Sequence, residues 1–313
     1  MISWSLTQLE YLVALDEHRN FTQAASACHV SQPTLSTQVQ KLEELLGAPL
    51  FDRLQKPLEP TQIGHQVVLQ ARHILAEAKV LDDLVSGELT RLAGPLKIGV
   101  IPTLSPYLIP WFVGPFMAAY PEIQLQIEEM QTAELIVHIA EERLDAGLLV
   151  TPLPQSSLRE TPLYYEPFVA YLNEGHPLLQ MDKIREEQVQ GDELWLLQEG
   201  HCFRDQAISL CRDQGRADSR LVFESGSLET LIRLVDRGMG MTILPYASAM
   251  SLNAQQKHRI RQFHDPQPVR EVSMVTARAP ITARAKALIQ TIIAHVPAYL
   301  KDQQATHRLP LTS

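Results

Sequence analysis

Apolar residues in the first sixty positions recur at the three- and four-residue spacing of short amphipathic helices joined by tight turns. The clearest of these helices is expected to bury one apolar face, made of Leu35, Val39, Leu42 and Leu46. Ser31 stands directly before it as a candidate N-cap, and Pro33 falls in its first turn, where a missing N–H costs nothing. These signals predict a well-defined helix that begins just after Ser31.

The segment before this helix completes a helix-turn-helix pattern. Ala24 and Ala25 are small enough for a second helix to cross closely, and His-Val-Ser forms the turn. The polar face of the second helix carries amides and hydroxyls, which suit base edges and phosphates. We expect DNA contacts from Gln32, Pro33, Thr34, Ser36, Thr37, Gln38, Lys41 and, in a wing formed by LFDRLQKPLEPT, Arg53. The alternative is a helical protein-interaction module.

A longer helical pattern follows, over about thirty residues without a proline from TQIGHQVV to VSGEL. Thr61 is a plausible N-cap. The apolar stripe consists of Val67, Ala71, Ile74, Ala78, Leu81 and Val85. Few residues precede this helix to cover the stripe, so a helix from a second subunit is the natural partner. Packing on its own domain is the alternative.

Beyond position 90 the pattern changes to apolar strands alternating with helices. Strands are expected at GPLKIGVIPT, LDAGLLVTP, PFVAYL, ELWLLQ, RLVFES and REVSMVTAR, and helices around 132–143 and 227–238. This alternation predicts an α/β architecture with mostly parallel sheets. About 205 residues are generous for one sheet, so two subdomains with a cleft are expected. Ligands bind at the carboxyl ends of strands in such folds, which indicates the segment Pro102–Ser105.

Composition narrows the class of protein. The chain has 313 residues, 45% hydrophobic and 20% charged, with a formal net charge of -9. No apolar run reaches the roughly 18 residues that a membrane span needs, and the N-terminus lacks the features of a signal peptide. A cytoplasmic protein that does not contact membranes is therefore expected. Three cysteines are too few for a disulfide framework and lack zinc-site spacing.

Charge argues against DNA binding by a single copy of the N-terminal module. Residues 1–60 contain four Lys and Arg but seven Asp and Glu, although DNA-binding domains are usually basic. Either the module does not bind DNA, or a few well-placed contacts are multiplied over several copies.

The segment GHCFRDQAISLC at 200–211 holds two of the three cysteines, Cys202 and Cys211. Three interpretations are open: the cysteines are unreactive core residues, they belong to a metal-binding site, or they are reactive thiols. His201, Arg204 and a helix N-terminus beside Cys202 would each favour the thiolate. A zinc site lacks a fourth ligand, and no metal or cofactor is expected. Cys28 is interpreted as a small buried core residue.

The N-terminal motif resembles the LysR-type transcriptional regulators. The resemblance rests on the two alanines 24–25, on VSQPTLS from Val30, on the pairs at 38–39 and 42–43, on LF at 50–51 and on the Thr and Gly at 61 and 64. It implies a winged helix-turn-helix at 1–60, a dimerisation helix at 61–90 and a redox-sensing regulatory domain at 91–313. That domain would be periplasmic-binding-protein-like, with subdomain I at about 91–164 and 268–300 and subdomain II at about 165–267. Tetramers are usual in the family. With four copies of the module on DNA, each copy needs less electrostatic attraction, so the acidic balance of residues 1–60 is a weaker argument against DNA binding.

The regulatory half is similar to the hydrogen-peroxide-sensing activators of this family in GPLKIGVIPTLSPYLIP, EGHCFRDQ and SLETLIRLVDRGMGMTILP. The resemblance implies a sensing thiol at Cys202, a resolving thiol at Cys211 and a reversible disulfide between them. It assigns peroxide binding or thiolate activation to Thr103, Thr132, His201, Arg204 and Asp205. If residues 202–211 are helical, the two Cα atoms lie about 13–14 Å apart along the axis, whereas a disulfide needs about 7 Å. The bond then requires the helix to unwind.

Activation of oxidative-stress genes would follow from that change of shape, without enzyme activity. The implied partners are double-stranded operator DNA, further copies of the chain, RNA polymerase and a glutaredoxin- or thioredoxin-type reductant. Two other functions are weighed against this one. A LysR-type regulator could sense a small metabolite in the cleft. A thiol peroxidase is disfavoured by the first ninety residues, which have no place in one.

Overall fold

The computed structural model describes residues 3–86, 92–153, 158–189, 194–199, 202–210, 225–277, 281–301 and 308–309, with the backbone alone at 79–80 and 82–86. The chain divides into two compact units, Met1–Arg91 and Leu92–Ser313. In the described residues no helix is both long enough and apolar enough to cross a membrane.

Three short helices and a long one build the first unit around a two-stranded hairpin. The helices are α1 (Leu6–His18), α2 (Phe21–Ala27), α3 (Gln32–Leu46) and α4 (Gln62–Ser86), and the strands are β1 (Phe51–Asp52) and β2 (Glu59–Pro60). Strands β1 and β2 pair antiparallel, which forms the expected wing. The Ser31 hydroxyl accepts the Thr34 N–H at 3.3 Å, so the predicted cap of α3 is confirmed.

The apolar face of α3 is shorter than predicted. Leu35, Val39 and Leu42 are fully buried with Ala24 and Ala25 in the unit's core. Leu46, expected on the same face, is wrong: its side chain is 40% exposed. It is the last residue of α3, directly before the C-cap Gly47.

Thr61 and Gly64 tie the start of α4 to the wing. The Thr61 hydroxyl donates to the Pro49 carbonyl at 2.8 Å and accepts the Gly64 N–H at 3.0 Å, which confirms the predicted N-cap. A Cβ at Gly64 would lie 1.9 Å from the Leu50 carbonyl oxygen. No residue with a side chain fits there without displacing backbone, which is why glycine follows the cap.

The stripe on α4 is buried only near its beginning. Of its residues, Ala71 is buried in the core of the unit, and Val67 and Ile74 are partly buried against that core. Beside the stripe, Arg72 is buried between Asp16 at 3.1 Å and Glu17 at 2.8 Å. Further along the helix Leu81 is 62% exposed. The first half of the stripe therefore packs on its own domain, and the second half leaves a large apolar side chain uncovered.

The second unit alternates strands and helices. In chain order its elements are β3 (Gly94–Val100), α5 (Ser105–Ala119), β4 (Ile123–Glu129), α6 (Thr132–Ala140), β5 (Ala146–Thr151), β6 (Arg159–Leu172), β7 (Lys183–Ile184), β8 (Leu194–Trp195), α7 (Cys202–Ser209), α8 (Leu228–Asp236), β9 (Met241–Pro245), α9 (Tyr246–Met250), α10 (Ala254–Lys257), β10 (Ile260–Phe263), β11 (Val269–Thr276), α11 (Ala283–His295) and α12 (Ala298–Lys301), with short 3₁₀ turns at Pro177–Gln180 and Glu186–Gln188. The α/β architecture is confirmed. Of the predicted strand RLVFES, only Ser225 lies within the described residues.

The sheet is mixed, so the expectation of mostly parallel strands was wrong. Strand β3 pairs parallel with β4 and β5, but β11 pairs antiparallel with both β5 and β6. Strand β6 in turn pairs antiparallel with β9 and β10. The reason is that β6 runs from one half of the unit into the other, and β11 runs back in the opposite direction. Neighbouring strands that run in opposite directions are antiparallel.

Two hydrophobic cores flank this crossing. One core gathers β3, β5, α5, α6 and α11, and the other gathers β9, α7, α8 and the second half of β6. Helix α7 contributes Phe203 and Ala207 to the second core, and Leu210 follows directly after it in the same core, whereas Cys202, at the start of the helix, packs against the first. The first turn of α7 therefore contacts both halves of the unit.

Candidate redox site

Arg270, on β11, is the centre of a polar cluster where the two cores meet. Its side chain is 1% exposed. The Nε and Nη2 atoms lie 2.9 and 2.8 Å from Glu166 Oε2, on β6. Nη1 donates to the Thr103 hydroxyl at 3.0 Å, and Nη2 donates to the Thr103 carbonyl at 3.2 Å. Three segments distant in sequence thus meet at one guanidinium group.

Glu166 holds this arginine in place. The carboxylate is fully buried, and its Oε1 accepts the backbone N–H of Ala247 at 2.8 Å. A buried charge is tolerated when it is paired and its remaining oxygen is hydrogen-bonded, and both conditions hold here. The pair fixes the direction in which the guanidinium group of Arg270 points.

Cys202 lies on the other side of this arginine, at the beginning of α7. Its thiol is partly buried, and the hydroxyl of Thr132, the first residue of α6, acts on it to favour the thiolate. The guanidinium carbon of Arg270 lies 5.6 Å from the centre of the Phe203 ring, the next residue along α7. Thr103 therefore bonds to Arg270, and both Arg270 and Thr132 act on the Cys202 thiol.

The protonation of Cys202 differs from the expectation. Burial raises the pKa of its thiol above the ordinary value. The hydroxyl of Thr132, the charge of Arg270 and the Phe203 backbone N–H act in the opposite direction without outweighing burial. The predicted lowering of the pKa was thus wrong for this conformation, because the sulfur loses water as its helix packs between the two cores.

Arg204 and Asp205, predicted for peroxide binding or thiolate activation, have other partners or effects in this conformation. The Arg204 guanidinium donates to the Leu197 carbonyl at 2.9 Å and lies 4.0 Å from Glu199. Asp205 contributes a negative charge that raises the pKa of Cys202, and the part of both residues in peroxide binding stays a prediction. Burial also raises the pKa of the Asp205 carboxyl. The predicted residues His201 and Cys211 lie outside the described residues.

Neither Arg270 nor Glu166 was predicted from the sequence. A detectable signal existed: Glu166 directly precedes the apolar run PFVAYL, and Arg270 and Glu271 interrupt the strand segment VREVSMV. A charge that is buried on a central strand needs a partner, so two such strands predict a pair. What the pattern does not indicate is that the pair faces Cys202.

Neither Cys28 nor any cluster of metal-binding side chains adds a further reactive site among the described residues. Cys28 is partly buried against the core of the first unit, and burial raises the pKa of its thiol. Within the described ranges, no group of three or more His, Cys, Asp and Glu side chains could hold a metal ion.

The polar face of α3 is open to solvent. The exposed side chains are Gln32, Pro33, Thr34, Thr37 and Lys41, and the partly buried ones are Ser36 and Gln38. Gln38 accepts a bond from Gln8 Nε2 at 3.2 Å, so α1 supports this face from behind. The face has the shape and donor set that a helix needs to enter the major groove.

Arg53, predicted to contact DNA phosphate from the wing, is engaged within the unit. Its Nη2 lies 2.8 Å from Glu43 Oε2, and its guanidinium carbon lies 5.7 Å from the centre of the Phe21 ring. Glu43 also accepts the backbone N–H groups of Leu50 and Phe51. This cluster joins the wing to α3.

The helix-turn-helix unit and the mixed α/β unit together define a class of protein, the bacterial regulators that join a DNA-binding head to an effector domain. Residues 6–65 match the bacterial regulatory helix-turn-helix proteins of the lysR family, and residues 90–297 match the LysR substrate binding domain. The chain belongs to the LysR family.

Relatives within that family share one description. The chain is 36% identical over 298 residues to the hydrogen peroxide-inducible genes activator of Pectobacterium carotovorum, covering 95% of this chain and 98% of the relative. It is 36% identical over 296 residues to the DNA-binding transcriptional dual regulator OxyR of Escherichia coli K12, covering 94% and 97%. A full-length OxyR variant from Pseudomonas aeruginosa superposes with a TM-score of 0.81 at 33% identity, covering 93% and 98%.

Proposed function

We propose that this chain is a DNA-binding transcriptional activator that responds to hydrogen peroxide through Cys202. The observation that carries the proposal is the placement of Cys202 where the charge of Arg270 and the hydroxyl of Thr132 both favour its thiolate, in a member of a DNA-binding family. A cation and a hydroxyl donor beside a thiol favour its reactive anion once peroxide or an opening of the site admits water. The relatives named above support peroxide as the signal.

The chemistry proceeds in two balanced steps. The Cys202 thiolate attacks one peroxide oxygen, so the O–O bond breaks, an S–O bond forms, and the departing hydroxide takes a proton and leaves as water. The Cys211 thiol then attacks the sulfenic sulfur, forming an S–S bond and releasing the second oxygen as water. Sulfur is oxidised and peroxide is reduced. A dithiol reductant of the glutaredoxin or thioredoxin type would restore both thiols.

The segment at the end of helix α7 must move in the disulfide form. The helix ends at Ser209, and its axis rises about 10 Å from Cys202 to that residue. A disulfide needs Cα atoms about 7 Å apart or less, so oxidation would draw the residues after Ser209 back toward Cys202. That movement would withdraw Leu210 from the second core and unwind the end of α7.

The remaining parts of the proposal concern assembly. Double-stranded operator DNA would be bound in the cytoplasm by the exposed face of α3 in each of several copies. Pairing through the 61–90 helix would give a dimer, and further contacts a tetramer that acts on RNA polymerase. The boundaries at 60 and 90 belong to this proposal, as do subdomains at about 91–164 with 268–300 and at about 165–267.

The first test is Cys202→Ser in the full-length protein. We expect operator binding to survive and the peroxide-induced change of the DNA footprint to disappear, because the attacking sulfur is gone. Cys28→Ser is the matched control, since that thiol lies in the first unit and should leave the response intact. A Cys202→Ser protein that still changes its footprint with peroxide would show that the signal acts elsewhere.

A further inference from the structure

The C-terminal residues Arg308 and Leu309 lie along strand β11 directly beside Arg270. The Leu309 N–H donates to the Val269 carbonyl at 3.1 Å, and Arg308 pairs with Val269 in a parallel bridge. The Leu309 side chain is 4% exposed and belongs to the second core. A short piece of chain near the C-terminus therefore extends the sheet at the strand that carries the redox-site arginine.

Charge explains why this segment docks at this place. Arg308 Nη2 lies 3.0 Å from Oε2 of Glu271, a carboxylate that is only 4% exposed. The same oxygen accepts the Tyr165 hydroxyl at 2.8 Å, and the Arg308 guanidinium carbon lies 5.5 Å from the centre of that ring. The docking surface thus provides a buried negative charge, an aromatic face and an apolar pocket, which match the Arg-Leu pair.

Helix α7 contacts the same segment through Gln206, four residues after Cys202. Gln206 is fully buried, and its Nε2 donates to the Leu309 carbonyl at 3.2 Å. Its Oε1 has no hydrogen-bond partner among the described residues. A buried amide whose one bond goes to the C-terminal segment couples the position of that segment to the position of α7.

We propose that Arg308–Leu309 is a latch that holds α7 in its helical, reduced form and is released when the Cys202–Cys211 disulfide forms. The proposal rests on the proposed function, since it takes that disulfide as the trigger. Unwinding α7 removes the Gln206 bond and part of the core around Leu309. The linkage is reciprocal: if oxidation weakens the docking of the latch, docking disfavours oxidation by the same factor.

Hydrogen exchange of the full-length protein before and after a peroxide pulse measures the latch directly. In the reduced protein we expect the Leu309 amide to be protected by its bond to the Val269 carbonyl. After oxidation we expect it to exchange at least about tenfold faster, because the docking surface has lost α7. Thiol mapping by mass spectrometry on the same samples reports whether the disulfide has formed.

Two variants test the coupling from the other side. Gln206→Met keeps the side-chain volume but removes the donor, and Leu309→Ala removes the apolar anchor. In a glutathione redox buffer, both should raise the ratio of disulfide to dithiol, by about fivefold for Gln206→Met, because only the reduced form loses an interaction. Asn173→Ala is the matched control: it deletes an amide-to-carbonyl bond of 3.1 Å to Gly238 in the same half of the unit. That variant should leave the ratio unchanged.

The outcomes separate the latch from the function on which it rests. A disulfide that forms while the Leu309 amide stays protected overturns the latch and leaves peroxide sensing intact. A peroxide response without any Cys202–Cys211 disulfide overturns the proposed mechanism and the latch with it. Equal redox ratios for Gln206→Met, Leu309→Ala and Asn173→Ala also overturn the latch.

Discussion

At the scale of single residues, Arg270 has two roles that can be separated. It neutralises the buried Glu166 carboxylate, and it places positive charge beside Cys202. The first role concerns stability and the second reactivity. Because both partners of the ion pair are almost fully buried, removing one of them leaves an uncompensated charge in the core.

We therefore expect Arg270→Met to cost about 3–5 kcal/mol of unfolding free energy and to slow Cys202 oxidation about tenfold. The double variant Arg270→Met with Glu166→Leu should recover most of the stability, because neither charge is left alone. It should not recover the oxidation rate, since the cation is still missing. Urea unfolding and stopped-flow peroxide kinetics measure the two effects, and recovery of both in the double variant would contradict a direct role for the Arg270 charge.

A pH profile of thiol reactivity tests the protonation of Cys202. Burial raises its pKa, so the thiol is mostly protonated at neutral pH and the thiolate fraction grows as pH rises toward the folded-state pKa. In the Cys28→Ser/Cys211→Ser background, the iodoacetamide rate should increase about tenfold per pH unit from 6 to 8. A rate that is already level at pH 6 would mean that the pKa of Cys202 is low.

At the scale of elements, local rules explain the helix-turn-helix and also its charge. Three of its acidic residues are paired within the unit: Asp16 and Glu17 bind Arg72, and Glu43 binds Arg53. The acidic balance of residues 1–60 therefore overstates the repulsion that DNA would meet at α3. Lys41 remains exposed on the face that is expected to read the groove.

Lys41→Gln should weaken operator binding and reduce the slope of log affinity against log salt by about one, because one phosphate contact is lost. Lys257→Gln, an exposed lysine of the second unit, provides the matched control and should change neither quantity. Fluorescence anisotropy over a series of salt concentrations measures both. An unchanged salt slope for Lys41→Gln would remove Lys41 from the DNA interface.

Elements of the second unit were harder to predict. Helix α5 contains Pro106, Pro110 and Pro115, and its sequence is apolar nearly all round, so neither periodicity nor propensity indicates a helix. Tertiary packing decides the matter, because Leu108, Phe112 and Phe116 are buried in the first core. The same holds for strand direction, which depends on how the chain crosses between the two cores.

At the scale of the whole molecule, the uncovered part of α4 bears on assembly. Leu81 is 62% exposed, although it continues the stripe in which Ala71 is buried and Val67 and Ile74 pack against the core. Large apolar side chains on a regular helical stripe are typical of a helix that pairs with a second copy. This observation supports the proposed dimer.

Leu81→Lys should lower the dimer population, because a charge at the centre of an apolar helix pair is costly. Gln70→Lys adds the same charge at an exposed position of the same helix and should have little effect. Sedimentation velocity over a range of concentrations measures the association. Unchanged association of the Leu81→Lys protein would mean that copies of the chain meet through another surface.

The sequence by itself determined the features that depend on near neighbours. Ser31 and Thr61 cap their helices because a cap needs only the next three residues. The conformational change predicted from the cysteine spacing rests on the same kind of local geometry and stays a prediction, since Cys211 lies outside the described residues. Only the tertiary structure decided which cation faces Cys202. Arg270 and Glu166 lie 104 positions apart, and Arg270 and Thr103 lie 167 apart, so their meeting depends on the packing of two cores that no local pattern describes.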